Sequence, residues 1–149
     1  MNDELDRLLC SKFPCIFPDR YESESRTIMC RGFEHDDGWF EILDCGLHLI
    51  QGHIDSINSV AGSKSVEQVV ATQVKQKFGS LRFYYNGGDE YIQGVFDMMR
   101  EMSGRTCEVC GEKGRIRTTK RRWLKTLCDK HAKENIRENE KRAELNNQI

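Results

Sequence analysis

The hydrophobic positions of this chain change period along its length, and each change predicts an element. Leu5, Leu8 and Leu9 follow Asp3 at helical spacing, and Pro14 stops the run near Phe13, which predicts a short N-terminal helix. Residues 18–27 are polar and aperiodic, and Ile28-Met29-Cys30-Arg31-Gly32-Phe33 is expected to form a short strand. After Asp36-Asp37, either of which can cap exposed amides, Phe40, Leu43, Leu47, Ile50, Ile54 and Ile57 recur at intervals of three and four. They mark the buried stripe of one long amphipathic helix.

A small, polar stretch over 59–65 then reads as a loop, and Val66 to Lys75 is rich in β-branched residues, as a strand would be. Beyond a turn at Phe78-Gly79-Ser80, Leu81, Phe83 and Tyr85 alternate with Arg82 and Tyr84 until Asn86-Gly87-Gly88 ends the run. This is a hairpin with one buried face, expected to lie against Phe40, Leu43, Leu47 and Ile50. Asp89 is placed to cap a second amphipathic helix carrying Ile92, Val95, Phe96, Met99 and Met102, with Gly104 where a C-terminal cap belongs. The expected fold class is α+β: a small antiparallel sheet packed by helices.

With 149 residues the chain suits one domain of ordinary size plus a small module. No apolar run approaches the roughly 18 residues needed to cross a bilayer, and residues 1–7 lack the basic start and apolar stretch of a secretory signal. A cytoplasmic protein with reduced thiols is the expectation, in which seven cysteines point to metal ligation or buried packing. The net charge of −1 hides a division. Residues 1–103 carry 10 basic and 17 acidic side chains, whereas 104–133 carry 10 basic and 3 acidic ones. We therefore divide the chain into an acidic α+β body (1–103), a basic module (104–133) and a mixed-charge helix or tail (134–149), in which Glu134 to Gln148 has only Ile136, Ala143 and Leu145 as apolar anchors.

Cys107-Glu108-Val109-Cys110 is followed, seventeen residues later, by Cys128-Asp129-Lys130-His131. Two residues between paired ligands let a tight turn present both to one tetrahedral ion, so Cys107, Cys110, Cys128 and His131 are the expected ligands of one structural zinc ion. Arg115-Ile116-Arg117-Thr118 and Trp123-Leu124-Lys125-Thr126-Leu127 can pair between the knuckles, completing a zinc ribbon. Four protein ligands leave no position for a water nucleophile. A zinc deaminase would need His-x-Glu and Pro-Cys-x-x-Cys elements, and a His-Asn-His nuclease a catalytic His between the knuckles; the sequence has neither.

Three weaker groupings remain. Asp44, His48, His53 and Asp55 on the long helix are either an acid/base or metal cluster or exposed helix residues. Cys10, Cys15, Cys30 and His35 are either a second metal site or separate thiols, and Cys45 has no assigned role. Arg82, Tyr84, Lys75 and Lys77 share a sheet face that is either a ligand surface or solvated. A basic cluster of Arg115, Arg117, Lys120, Arg121, Arg122 and Lys125, with Trp123 beside it, suits nucleic-acid phosphate and base stacking. The same charges equally suit docking on the acidic body or on a partner.

Asp36-Asp37-Gly38-Trp39, Gln73-Val74-Lys75-Gln76-Lys77-Phe78-Gly79-Ser80-Leu81-Arg82-Phe83-Tyr84, Cys107-Glu108-Val109-Cys110-Gly111 and Thr126-Leu127-Cys128-Asp129-Lys130-His131 resemble a family of small uncharacterised proteins of tailed bacteriophages and prophages. The resemblance spans about Phe33 to His131 and implies an accessory protein acting in the bacterial host cytoplasm. The function expected first is non-enzymatic binding of a host protein, in host takeover or counter-defence. A nucleic-acid-binding zinc ribbon is the alternative, ahead of an enzyme or small-ligand binder of unrecognised type.

Overall fold

The computed structural model describes residues 1–60 and 65–135. Helix α1 (Asp3–Lys12) starts where the Asn2 side chain accepts hydrogen bonds from the amides of Glu4 and Leu5 at 3.0 and 2.9 Å. Asp3, Glu4 and Asp6 fill its first turn and Lys12 its last, each sign at the favourable end of the helix dipole. It ends before Pro14, as expected from the sequence.

The strand expected over Ile28–Phe33 does not form. Ile28–Arg31 is a 3-10 turn capped by the Thr27 hydroxyl, which accepts from the Met29 amide, and Gly32 at φ 75° ends it. Only Phe33–Glu34 is extended, as β1, and it joins the sheet parallel to β2 (Val70–Lys77), with Phe33 opposite Val74. Neither aspartate caps the long helix as expected. Asp36 makes no side-chain cap bond, while the Asp37 carboxylate accepts from the backbone and side-chain nitrogens of Asn2 at 2.7 and 2.8 Å. A 3-10 turn over Asp37–Trp39 leads directly into α2 (Phe40–Val60).

Helix α2 buries Ile42, Leu43, Leu47, Ile50 and Ile54, while Ile57, expected in the stripe, is exposed. Of the loop expected at 59–65, residues 61–64 lie outside the described residues. Strand β2 begins at Val70 rather than Val66, because the amides of Ser65 and Val66 are taken by the Asn58 side chain. It pairs antiparallel with β3 (Ser80–Asn86). Their two-residue turn places Phe78 at φ 55° and Gly79 at φ 80°, the pair of positive angles that matches hairpin twist. The resulting sheet, in the order β1-β2-β3, is mixed: the expected antiparallel hairpin plus one parallel edge.

Helix α3 (Glu90–Ser103) is capped by Asp89, whose carboxylate accepts from the Ile92 amide at 3.0 Å. Its Phe96 stacks on Phe83 and Tyr85 of the hairpin, with ring centroids 4.5 and 4.3 Å apart. The hairpin's aromatic face therefore meets α3 directly, and α3 packs in turn on α2. Gly104 closes α3 in right-handed helical conformation, its amide bonding Arg100 O, and not in the left-handed geometry of a glycine cap.

The body shares one hydrophobic core, centred on Leu9, Met29, Trp39, Leu43, Leu47, Val74, Leu81, Ile92 and Met99. Its polar interior is held by Asp6, 5% exposed, which receives Arg20 Nε and Nη2 at 2.9 and 2.8 Å while Arg20 Nη1 donates to Cys30 O. Among the described residues no helix is long and apolar enough to cross a membrane.

Candidate metal centre

Beyond α3 the chain makes a second, two-stranded sheet of β4 (Arg115–Thr118) and β5 (Leu124–Leu127), antiparallel with Ile116 opposite Thr126. Before β4, residues 107–110 turn tightly: the Gly111 amide returns to Cys107 O at 2.9 Å, and Cys107 N donates to Glu112 O at 2.7 Å. After β5, residues 129–135 are helical, forming α4, and Cys128 stands at its N-terminus with its carbonyl accepting from Ala132 N. The remainder of the helix expected over Glu134–Gln148 lies outside the described residues.

These two turns bring Cys107, Cys110, Cys128 and His131 together with all four ligand atoms within 4.8 Å of one another, an arrangement able to hold one metal ion. Cys110 and Cys128 sulfurs are 3.9 Å apart, and His131 Nδ1 lies 3.5 and 3.2 Å from the sulfurs of Cys107 and Cys128. The His131 backbone N–H, donating to Cys128 at the helix start, is foremost among the contacts that pull that thiol down to about 7. Burial pushes the Cys110 thiol the other way, to about 11. With Nδ1 facing the sulfurs, His131 Nε2 faces the Glu134 carboxylate at 3.6 Å, the outer contact that commonly orients a ligating imidazole.

The first knuckle is built into the acidic body. The Gly38 amide donates to Glu108 O at 2.7 Å, and the indole N–H of the fully buried Trp39 donates to Thr106 O at 2.9 Å. Glu108, between two of the cysteines and 2% exposed, accepts from the Asp36 amide at 3.4 Å and lies 3.7 Å from Lys125 Nζ. Burial raises its carboxyl, a push that Lys125 only partly offsets. Lys125 also reaches Asp36 at 3.2 Å; burial would lower its ammonium, but the Glu108 and Asp36 carboxylates outweigh this and raise it. The hairpin turn makes a second seam, in which Thr126 Oγ1 donates to Gly79 O at 2.5 Å and Gln76 Nε2 donates to Leu124 O.

These contacts divide the basic cluster. Lys125 is spent on the body, and Arg117 is engaged by Asp129 and by Leu127 O. Arg115, Lys120, Arg121 and Arg122 are exposed, as is Trp123 at 68%, where Thr119 N donates to Trp123 O to close the β4–β5 turn. Sequence reasoning missed Gly38, Trp39 and Glu108 as parts of this site, although Gly38 and Trp39 stand in the Asp36-Asp37-Gly38-Trp39 motif and Glu108 lies between the first two cysteines.

The weaker groupings are not assembled. Asp44 pairs with Lys12, Asp55 accepts from Gln51, His48 is exposed, and His53 meets Asp89 at 2.7 Å with its ring stacked on Tyr91. Among the described residues the group at Cys107 is the one that gathers three or more metal-ligating side chains, so Cys10, Cys15, Cys30 and His35 do not form a second. Lys75 Nζ sits 5.5 Å over the Tyr84 ring, and Arg82 donates to Ser80 Oγ, on the face away from the core. No family model, curated protein or solved structure matches the chain.

Proposed function

We propose that this is a non-enzymatic binding protein in which one zinc ion, held by Cys107, Cys110, Cys128 and His131, staples a basic ribbon to an acidic body. The donor set and spacing favour zinc. A tetrahedral zinc with Zn–S near ~2.3 Å and Zn–N near ~2.0–2.1 Å keeps its donors roughly 3.5–3.8 Å apart, against 3.2, 3.5 and 3.9 Å for three of the donor pairs and at most 4.8 Å for the whole set. The observation that carries the structural role is the fully buried Cys107, whose turn is covered by Gly38 and Trp39. Four protein donors fill a zinc ion's usual coordination, and the ion would supply a crosslink rather than an electrophile.

The partner in this reading is a host bacterial protein, bound in the cytoplasm during takeover or counter-defence, as the likeness to phage accessory proteins suggests. Supporting it, the charges of the ribbon nearest the body are consumed internally by Asp36, Glu108 and Asp129. The test is capture by tagged, zinc-loaded protein from bacterial lysate, with and without nuclease. A specific protein retained after nuclease is expected, and loss of every captured protein on nuclease treatment would contradict the reading.

Nucleic-acid binding is the second reading, favoured by the exposed Trp123 beside Arg121 and Arg122. It requires affinity that falls steeply with salt and is lost when Lys120, Arg121 and Arg122 become Ala. Our reading expects DNA and RNA binding at physiological salt no tighter than the non-specific range of about 10⁻⁴–10⁻⁶ M.

A further inference from the structure

In an antiparallel ladder, hydrogen-bonded and non-hydrogen-bonded residue pairs alternate, and the second kind turn their backbone groups away from the partner strand. Thr119 N donates to Trp123 O, so Arg117 with Lys125 and Arg115 with Leu127 are the hydrogen-bonded pairs that follow along the ribbon. The backbone groups of Ile116 and Thr118 therefore point outward from β4, and those of Leu124 and Thr126 outward from β5. On the β5 side the edge is sealed: the Leu124 carbonyl accepts from Gln76 Nε2 and the Thr126 carbonyl from Glu108 N. On the β4 side the edge is open, since among the described residues nothing donates to or accepts from the outward groups of Ile116 and Thr118. An open edge can take up an extended polypeptide as an additional strand.

The side chains beside this edge select the occupant. Arg115 and Arg117, on one face of β4, line with Lys113 a cleft of about 350 Å³ whose one carboxylate, Asp129, is already engaged by Arg117. Lys113 and Arg115 are exposed, and Arg115 and Lys133 add to the positive field at Asp129. On the opposite face Ile116, 48% exposed, lies over the hairpin turn, where a Cβ on Gly79 would stand 3.1 Å from Ile116 Cγ2 and the neighbouring Phe78 is 65% exposed. A strand that alternates carboxylate and apolar side chains matches both faces, whereas lysines would meet like charge. A second copy paired through the same edge would set Arg115 and Arg117 against themselves. Residues 136–149 carry three acidic and three basic side chains, with no surplus to match the cleft. A phosphate backbone matches the charge but has no row of N–H groups for the Ile116 and Thr118 carbonyls. We infer that β4 seats an acidic, extended segment of the partner protein by strand addition, an inference that rests on the protein-binding reading above.

The probes are two synthetic peptides that alternate valine with glutamate or valine with lysine, titrated into the zinc-loaded full chain at physiological salt. The glutamate peptide should bind at least tenfold more tightly than the lysine peptide. The double variant Lys113→Gln, Arg115→Gln, shown to keep its zinc by native mass spectrometry, should weaken it at least tenfold, and Arg121→Ala, Arg122→Ala should not change it. Hydrogen exchange followed by NMR reads the backbone: the Ile116 and Thr118 amides should exchange fast in the free protein and slow on saturation with the glutamate peptide. Binding that leaves both amides unprotected would overturn the proposal, because charge alone would then hold the peptide. Slow exchange without peptide would overturn it too, since the chain's own residues or a second copy would already occupy the edge. So would submicromolar binding of single-stranded RNA that the double variant loses, which would make the cleft a phosphate site. Lysate capture separates the two levels of the account. A protein held equally by wild type and double variant removes the edge and leaves the binding reading, whereas no protein held by wild type overturns both.

Discussion

Gly38 lies against the backbone of Cys107 so closely that a Cβ on it would stand 2.1 Å from the Cys107 carbonyl oxygen and 2.5 Å from Gly111 N. Backbone cannot yield there as a flexible side chain would. Gly38→Ala should therefore destabilise the protein by about 1–3 kcal/mol, the range for overpacking, and shift the environment of the adjacent Trp39. Urea unfolding followed by tryptophan fluorescence reads both, and an unchanged midpoint would show that the knuckle is not seated on this segment.

The hairpin supplies a second expectation. Phe83, on the inner face of the hairpin, stacks on Phe96 of α3 and lies 6.1 Å from Phe17, so Phe83→Ala removes both ring contacts. The loss should be about 3 kcal/mol, toward the lower end for Phe truncation because the ring is only partly buried. Chemical denaturation of the variant checks it.

What the sequence disclosed was local. The stripe of Leu43, Leu47 and Ile50, the alternation of Leu81 and Phe83, and the paired spacing of Cys107, Cys110, Cys128 and His131 each lie within a few residues of chain. Period and ligand spacing therefore exposed α2, β3 and the metal turns. The relations that were hidden join distant residues. Phe33 pairs with Val74 across forty residues, and only that pairing decides that Phe33–Glu34, rather than Ile28–Arg31, is the strand. Lys125 read as one more member of a basic cluster because Asp36 and Glu108, which neutralise it, belong to different segments.

The ion pair of Asp6 and Arg20 offers a test of the polar interior. Its side chains are 8% and 17% exposed, and Asp6→Ala would leave the guanidinium largely buried with Cys30 O as its remaining hydrogen-bond acceptor among the described residues. The expected cost is about 3–5 kcal/mol, because an orphaned buried charge is penalised more than the intact pair is rewarded. Comparison with Arg20→Met, and with the double variant of both positions, should show the double less destabilised than Asp6→Ala.

His35 predicts a pH dependence. Burial lowers its imidazole from 6.5 to about 4, and its Nδ1 is engaged by Asp36 O while Nε2 has no hydrogen-bond partner among the described residues. The unfolded chain thus binds a proton between these values that the folded chain refuses. Stability from this group is full above pH 6.5 and falls as pH drops toward 4, by up to about 3 kcal/mol. His35→Phe should flatten the stability profile between about pH 4 and 6.5 relative to wild type. Parallel profiles would show that His35 titrates normally.

The central claim is that one zinc ion joins the two turns around Cys107 and Cys128. Native mass spectrometry of protein purified without chelator tests it most directly. The account predicts a folded species carrying one zinc per chain, and loss of that zinc in Cys107→Ser together with the charge-state shift of a loosened ribbon. A compact, metal-free wild-type species, or zinc retained at full stoichiometry by Cys107→Ser, would contradict it.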